Sequence, residues 1–238
     1  MKFQVTRLEE VASTNDEAKR LAHAGAAEGT VIVADRQTAG RGRLGRVWAS
    51  PVGNLFLSVV LRPSIAPAAA PPLAPSMGVA VARAIEQVAP LATELKWPND
   101  VKVGGKKVAG VLTESLVSGN TLSAVVVGIG INIGAELPAE LAEIATTLSR
   151  EAARNVRKSE IEEALLAQIA EVYARFLKKG FEGVRPDWEE RDALNGQTVT
   201  IDAGGRQIRG IARGVGRDGA LRVEESGKIV EIATGEVL

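Results

Sequence analysis

No cysteine occurs anywhere in the 238 residues. Disulfides, thiolate metal sites, a cysteine nucleophile and an enzyme-bound thioester are therefore excluded, so any activated acyl group would have to be held noncovalently. Histidine is almost as scarce: His23 is the single one, and it sits in a helix-like stretch where an exposed surface position is expected. That count rules out histidine-centred triads and histidine-rich metal sites. Net charge is also missing, because Lys+Arg and Asp+Glu balance at 29 each. A broad polyanion-binding surface is not implied, although a local arginine cluster remains compatible with one anionic ligand. The N-terminus lacks the apolar core of a signal peptide, and no run of apolar residues is long enough to span a bilayer. A cytoplasmic location without a membrane partner is the expectation. About a dozen residues precede Ser13, too few for a groove-reading helix, so no DNA partner is expected either.

What the chain does have is 45% hydrophobic residues, enough to build a core for one large domain with a small appendage. Its most distinctive segment is Gly40-Arg41-Gly42-Arg43-Leu44-Gly45-Arg46, followed shortly by Trp48. Glycine lets a backbone approach a ligand closely, and arginine offers a planar fork that matches phosphate or carboxylate, so the segment suits a loop that closes over an anion. It lacks the Gly-Lys-Ser/Thr ending of a P-loop.

Polar groups gather at three further strand ends. Lys96-Trp97-Pro98-Asn99-Asp100 sets an amide and a carboxylate just after a proline, which fixes φ and denies a helix. Lys107-Val108-Ala109-Gly110-Val111-Leu112 opens an apolar run with a lysine at its mouth, and Gly128-Ile129-Gly130-Ile131-Asn132 closes another on an amide. Near the start, Ser13 and Thr14 suit a helix cap, with Asp16 and Glu17 three residues on. Strands are expected at Phe3–Val5, Thr30–Ala34 and Leu55–Leu61, and between 91 and 133 with a Gly104-Gly105 hairpin. A helix carrying Met77, Val81, Ile85 and Val88 should follow the Pro/Ala-rich connection at 66–75. Ser159 with Glu162 reads as the capping box of a second long helix ending at Gly180, and Trp188 as a packing anchor between the two parts of the chain. From Leu194 onward, short β-like runs separated by Gly204-Gly205, Asp218-Gly219 and Ser226-Gly227 suit a small barrel.

These motifs, in this order over roughly residues 1 to 135, resemble the biotin protein ligases, also called biotin-[acetyl-CoA-carboxylase] ligases. The resemblance implies an α+β fold: a mixed-sheet catalytic domain for biotin and ATP at 1–190, and a small SH3-like β-barrel C-terminal domain at 191–238. It implies ATP and biotin as substrates with Mg²⁺, and a biotin carboxyl carrier domain of acetyl-CoA carboxylase or a related carboxylase as partner. A homodimer through an exposed edge of the central sheet is compatible with it. The implied chemistry forms biotinyl-5'-adenylate and then passes biotin to a lysine of the carrier. A carboxylic acid is already ionised at neutral pH, so the first step needs charge neutralisation rather than a base.

By the same resemblance, Lys107, Arg41 and Arg43 are the catalytic candidates. Ser13, Thr14, Asn15, Gln37, Gly40, Arg41, Gly42, Arg43, Lys107 and Gly110 form the biotin side, with the Ser13 and Thr14 hydroxyls shared between helix capping and the ligand. Arg43, Arg46, Trp48, Asn99, Asp100, Lys107 and Asn132 form the nucleotide side, with Trp48 stacking on adenine. Asp100 has three open roles: binding Mg²⁺ through water, deprotonating the acceptor lysine, or a structural one. Leu44 stands where some family members carry another basic residue. Two rival readings remain. A lipoate ligase shares the fold and the adenylate chemistry, but its dithiolane substrate offers no ureido group to a polar pocket. A biotin-responsive binding module without turnover has no use for Lys107.

Overall fold

Apolar periodicity builds a large unit of seven strands and three associated helices in the computed structural model, which describes residues 1–238. In order these are β1 (Gln4–Val11), α1 (Thr14–His23), β2 (Thr30–Gln37), β3 (Leu55–Leu61), α2 (Leu73–Val88), β4 (Thr93–Lys96), β5 (Asp100–Val103), β6 (Lys106–Ser118) and β7 (Thr121–Ile131). The third of those helices, α4 (Lys158–Lys179), comes after the short α3 (Leu148–Glu151) and before α5 (Arg185–Glu189). The sheet order is β1-β2-β3-β7-β6-β5-β4. Only β1 and β2 run parallel, joined by the α1 crossover, and every other neighbour pair is antiparallel, so the sheet is mixed.

The two-residue period of a strand divides this sheet into two unlike faces. On β3 and β7, Leu55, Leu57, Val59, Leu61, Val125, Val127, Ile129 and Ile131 turn into the main core with residues of α2 and α4. The opposite face packs Ile32, Val60, Ala124 and Val126 against Ala18 and Ala22 of α1. Toward the start of α1 that second face loses its bulk, because the next residues on it are Ser58 in β3 and Gly128 and Gly130 in β7. A hollow therefore opens between the sheet and the residues around Ser13.

The C-terminal strands β8 (Thr198–Asp202), β9 (Gln207–Val215), β10 (Leu221–Glu225), β11 (Lys228–Ile232) and β12 (Glu236–Val237) form an antiparallel sheet in the order β11-β10-β9-β8-β12. Its edge strands β11 and β12 share no ladder, so the expected small barrel is an open five-stranded sheet. The apolar interior is continuous with the larger one, with Val199, Ile201, Leu221 and Val223 in the same core as β3 and α2.

One local expectation is corrected. The capping box of α4 is Arg157 with Glu160, rather than Ser159 with Glu162. Glu162 instead lies buried within the helix, ion-paired with Arg7 of β1, and that pairing outweighs a local cap. Trp188 is a buried packing residue that meets Phe181 edge-on at 6.4 Å, lies beside Gly78 of α2 and shares one core with Val199 and Leu221 of the C-terminal strands. Trp97 also ties the parts together, its Nε1 donating to the Gly219 carbonyl at 3.0 Å. No helix is long and apolar enough to cross a membrane.

Candidate active site

Cross-strand partners in an antiparallel ladder share a face, and one row of them makes the floor of the hollow. Phe56 pairs with Gly130, Gly130 with Gly110, Gly110 with Asp100, and Asp100 with Lys96, so the row crosses β3, β7, β6, β5 and β4. One step along, Ser58 pairs with Gly128 and Gly128 with Leu112. The three glycines are required by close approach. A Cβ on Gly128 would lie 2.0 Å from Asn15 Oδ1, one on Gly130 would lie 2.6 Å from the Trp48 ring, and one on Gly110 would crowd both Trp48 and Lys107.

The β7 end of the hollow is a closed polar network. Ser13 caps α1, its side chain accepting from the Asp16 N–H, while Thr14 and Asn15 are buried in the first turn. Gln37 at the end of β2 accepts from the Thr14 N–H at 2.8 Å and from its hydroxyl at 3.1 Å. The Gln37 amide donates to Ser50 Oγ at 3.0 Å, which donates in turn to the Trp48 carbonyl at 2.9 Å. Ser58 Oγ donates to Asn15 Oδ1 at 2.6 Å and lies 2.8 Å from Thr14 Oγ1. Asn15 Nδ2 reaches Glu114 at 2.7 Å, and Lys19 reaches the other oxygen of that carboxylate at 2.6 Å. Arg41 grips Asp16 with both terminal nitrogens, one of them at 2.6 Å. That grip, assisted by Lys19 against a smaller opposing effect of burial, holds the Asp16 carboxyl down to about 2 and raises Arg41.

The opposite end is cationic. Lys107 is fixed by its backbone, whose N–H donates to Ile144 at 2.9 Å and whose carbonyl accepts from Thr146 at 3.0 Å. Its Nζ stands 2.5 Å from Asp100 Oδ1 and 5.1 Å from the centre of the Trp48 ring. Trp48 covers Gly110 and Gly130, and its Nε1 is buried without a partner. Arg43 leans on the C-terminal sheet, donating to Gly235 at 3.2 Å and Thr234 at 3.4 Å, and Arg46 pairs with Glu236. Burial is the largest influence on both Arg43 and Lys96 and lowers each below its ordinary value, with Asp100 pulling the other way. The tip of the arginine loop is exposed: Leu44 adopts φ 56° and Gly45 φ 73°.

One cavity thus brings together Ser13, Thr14, Asn15, Gln37, Arg41, Gly42, Arg43, Arg46, Trp48, Asn99, Asp100, Lys107 and Gly110. Gly40 and Asn132 do not line it. Gly40 sits behind the loop, where a Cβ would strike Ser50 Oγ at 2.5 Å and the Trp48 carbonyl at 2.7 Å. Asn132 is buried beyond the end of β7, its backbone bonded to Val108 and Leu148. Asn99 spends its amide on the Val111 carbonyl at 2.9 Å, holding the Trp97-Pro98-Asn99 turn against β6.

Sequence reasoning missed Ser58, Glu114, Lys96 and the Gly235–Val237 edge. Ser58 had a signal, a lone hydroxyl in the otherwise apolar strand Leu55–Leu61, all of it buried. The C-terminal edge had none, because only the packing of the two sheets brings it to the cavity. The residues present do not make a cage for a resident metal. No group of three carboxylate, histidine or cysteine side chains converges anywhere, and Asp100 is already engaged by Lys107.

Residues 8–132 match the model of the biotin/lipoate A/B protein ligase family, and residues 195–238 match the biotin protein ligase C terminal domain. The chain is 35% identical over 231 residues to the bifunctional ligase/repressor BirA of Bacillus subtilis, covering 95% of this chain and 71% of that protein. It is 36% identical over 215 residues to the biotin--[acetyl-CoA-carboxylase] ligase of Paracoccus denitrificans, covering 88% and 89%. Its fold superposes on the biotin protein ligase from Aquifex aeolicus in complex with biotin and ATP with a TM-score of 0.85 and 34% identity, covering 99% and 97%.

Proposed function

The chain belongs to the biotin/lipoate A/B protein ligase family, and from that premise we propose that it is a biotin-[acetyl-CoA-carboxylase] ligase. It joins biotin to ATP as biotinyl-5'-adenylate, releases pyrophosphate, and transfers biotin to one lysine of a biotin carboxyl carrier domain. The observation that carries this reading is the glycine-cleared row running from a closed polar network to a cationic end. Such a hollow fits a flat, largely apolar ligand with hydrogen-bonding groups at one end and a reacting anion at the other. The polar end offers amide and hydroxyl groups that a ureido head can exchange hydrogen bonds with and the dithiolane of lipoate cannot.

Charge does most of the chemistry in this reading. Lys107, set between Asp100 and the glycine floor, meets the biotin carboxylate and the α-phosphate and lowers the repulsion as one attacks the other. In this reading Asp100 orients Lys107 in the first step and takes the proton of the acceptor lysine in the second. Arg43 and Arg46 face the remaining phosphates, and Arg41 clamps the loop to α1 through Asp16. Trp48 offers its ring to adenine when the loop rearranges around the nucleotide. Mg²⁺ belongs to the nucleotide substrate, arriving on its phosphates.

A catalytic unit at 1–190, a C-terminal unit at 191–238 and a cytoplasmic setting are parts of the same proposal. The division is supported by the two separate sheets. Incubation with biotin, MgATP and a purified carrier domain, followed by intact-mass measurement, tests the reading: one biotinyl group should be added to the carrier. A carrier of unchanged mass, beside a control ligase that modifies it, would refute it.

A further inference from the structure

The row of cross-strand partners ends on a residue that the reaction as described leaves without a task. Lys96 closes the line Gly130, Gly110, Asp100, Lys96, on the same face and in the same cavity. Adjacent strands lie about 4.8 Å apart, so Lys96 stands three strands, or roughly 14 Å, from Gly130 under Trp48. Its side chain is half-buried, and its one hydrogen-bond contact is a long 3.5 Å approach to the Val237 carbonyl. The neighbouring carboxylate, Asp100, is taken by Lys107 on the other side. Arg43 and Arg46 reach the same edge from above, where the carboxylate present is Glu236, itself paired with Arg46. A half-buried ammonium with one poor acceptor costs desolvation energy that an anionic ligand would recover.

We infer that Lys96 is a further catalytic residue, contacting the β- and γ-phosphates of ATP and stabilising the pyrophosphate as it leaves. This rests on the ligase reading and deepens it. The order along the sheet makes the assignment. The polar network near Asn15 holds the ligand's head, Lys107 beside Gly110 meets the carboxylate and the α-phosphate, and Lys96 lies one strand pair beyond Asp100, where the next phosphates would fall. In the step itself, a biotin carboxylate oxygen forms a bond to the α-phosphorus. The bond from that phosphorus to the oxygen bridging the β-phosphorus breaks, and its electron pair leaves on pyrophosphate. Negative charge therefore accumulates on the leaving group next to Lys96. Carrier modification involves no pyrophosphate, so Lys96 should matter to one half-reaction only.

Three proteins separate the outcomes: wild type, Lys96→Met and Lys96→Arg, each assayed twice. Biotin-dependent exchange of labelled pyrophosphate into ATP reports adenylate formation. Transfer to a carrier domain from supplied biotinyl-5'-adenylate reports the second half. Lys96→Met should lose about 10²-fold or more in exchange, with transfer held within about threefold of wild type, and Lys96→Arg should recover much of the exchange. Equal losses in both assays, or an arginine variant as inactive as the methionine variant in exchange, would mark Lys96 as structural and overturn the inference. Undiminished exchange in Lys96→Met would overturn it as well. A wild-type protein that exchanges no pyrophosphate would instead strike the ligase reading beneath it.

Discussion

The two ends of the hollow differ in how far the protein satisfies itself. Around α1, the cations Lys19 and Arg41 face the carboxylates Asp16 and Glu114, and almost every polar group has a partner inside the chain. At the far end, Arg43, Arg46, Lys96 and Lys107 face only Asp100 and Glu236, and the bonds of Arg43 and Lys96 are long ones to carbonyl or hydroxyl oxygens. A balanced, closed network suits a neutral polar head, because the site is built before the ligand arrives and carries no surplus charge for it to neutralise. An end with surplus positive charge remains incomplete until a polyanion fills it. Recognition and activation are thus assigned to different electrostatic regimes within one cavity.

The sharpest test of that division is Lys107→Ala, which should reduce adenylate formation on the order of 10²-fold or more while biotin affinity changes little. Pyrophosphate exchange and equilibrium binding of biotin, measured on the same preparation, would show the two quantities separating; a parallel fall would erase the distinction between the ends. The reverse dissection is Ser58→Ala, which strips Asn15 Oδ1 of its donor in a fully buried place. Losing one partner of such a pair costs about 1–3 kcal/mol, so biotin binding should weaken roughly 5- to 150-fold with nucleotide affinity preserved. Calorimetric titration with each ligand would decide it.

Smaller effects are expected where the loop joins the two regimes. Arg41→Ala or Arg43→Ala frees a clamp at either end of the loop, so the reactive adenylate should escape and label exposed lysines of bystander proteins severalfold more than wild type does. Labelling of serum albumin alongside the carrier would measure it, and an unchanged ratio would remove the loop's retaining role. The mildest perturbation is acid. Asp16 titrates at about 2 in the folded chain against 3.8 ordinarily, so its contribution to stability is complete above about 3.8. It fades as pH falls toward 2. Wild type should melt above Asp16→Asn at neutral pH, and the gap should close across that window. Because the pair is largely exposed the gap should be small, and a gap that persists below pH 2 would mean the clamp is not ionic.

Much of this site could be read from residue order because its parts are short and local: the cap at Ser13, the Gly/Arg loop, the Lys-Trp-Pro-Asn-Asp turn and the glycines of β7 each carry a chemical reason for their residue types. The large sheet, its long helices and the β-rich end were legible for the same reason, through periodicity and glycine turns. What escaped depends on register and docking. Glu114 and Lys96 look like ordinary alternating strand residues until pairing shows which face they share with Gly128 and Asp100. Glu236 enters only through the packing of one sheet on another. Asn132 misled in the opposite direction, since a polar residue ending an apolar strand looks like a ligand group, yet its backbone is tied to Val108 and Leu148 away from the cavity.

The glycine floor also sets a direction for change. Every substitution at Gly110, Gly128 or Gly130 adds atoms to a wall that already touches Lys107, Asn15 or Trp48, so mutation of these glycines can only shrink the chamber. A lineage, or a designer, seeking acceptance of a bulkier acid would have to work on the side chains around them, on Leu112 of the same sheet face or, from above, on Trp48 and the exposed arginine segment, because a glycine has no side chain left to give up. Along the glycine row the hollow is at its maximum depth, and adaptation of its ligand range runs through the side chains that frame it.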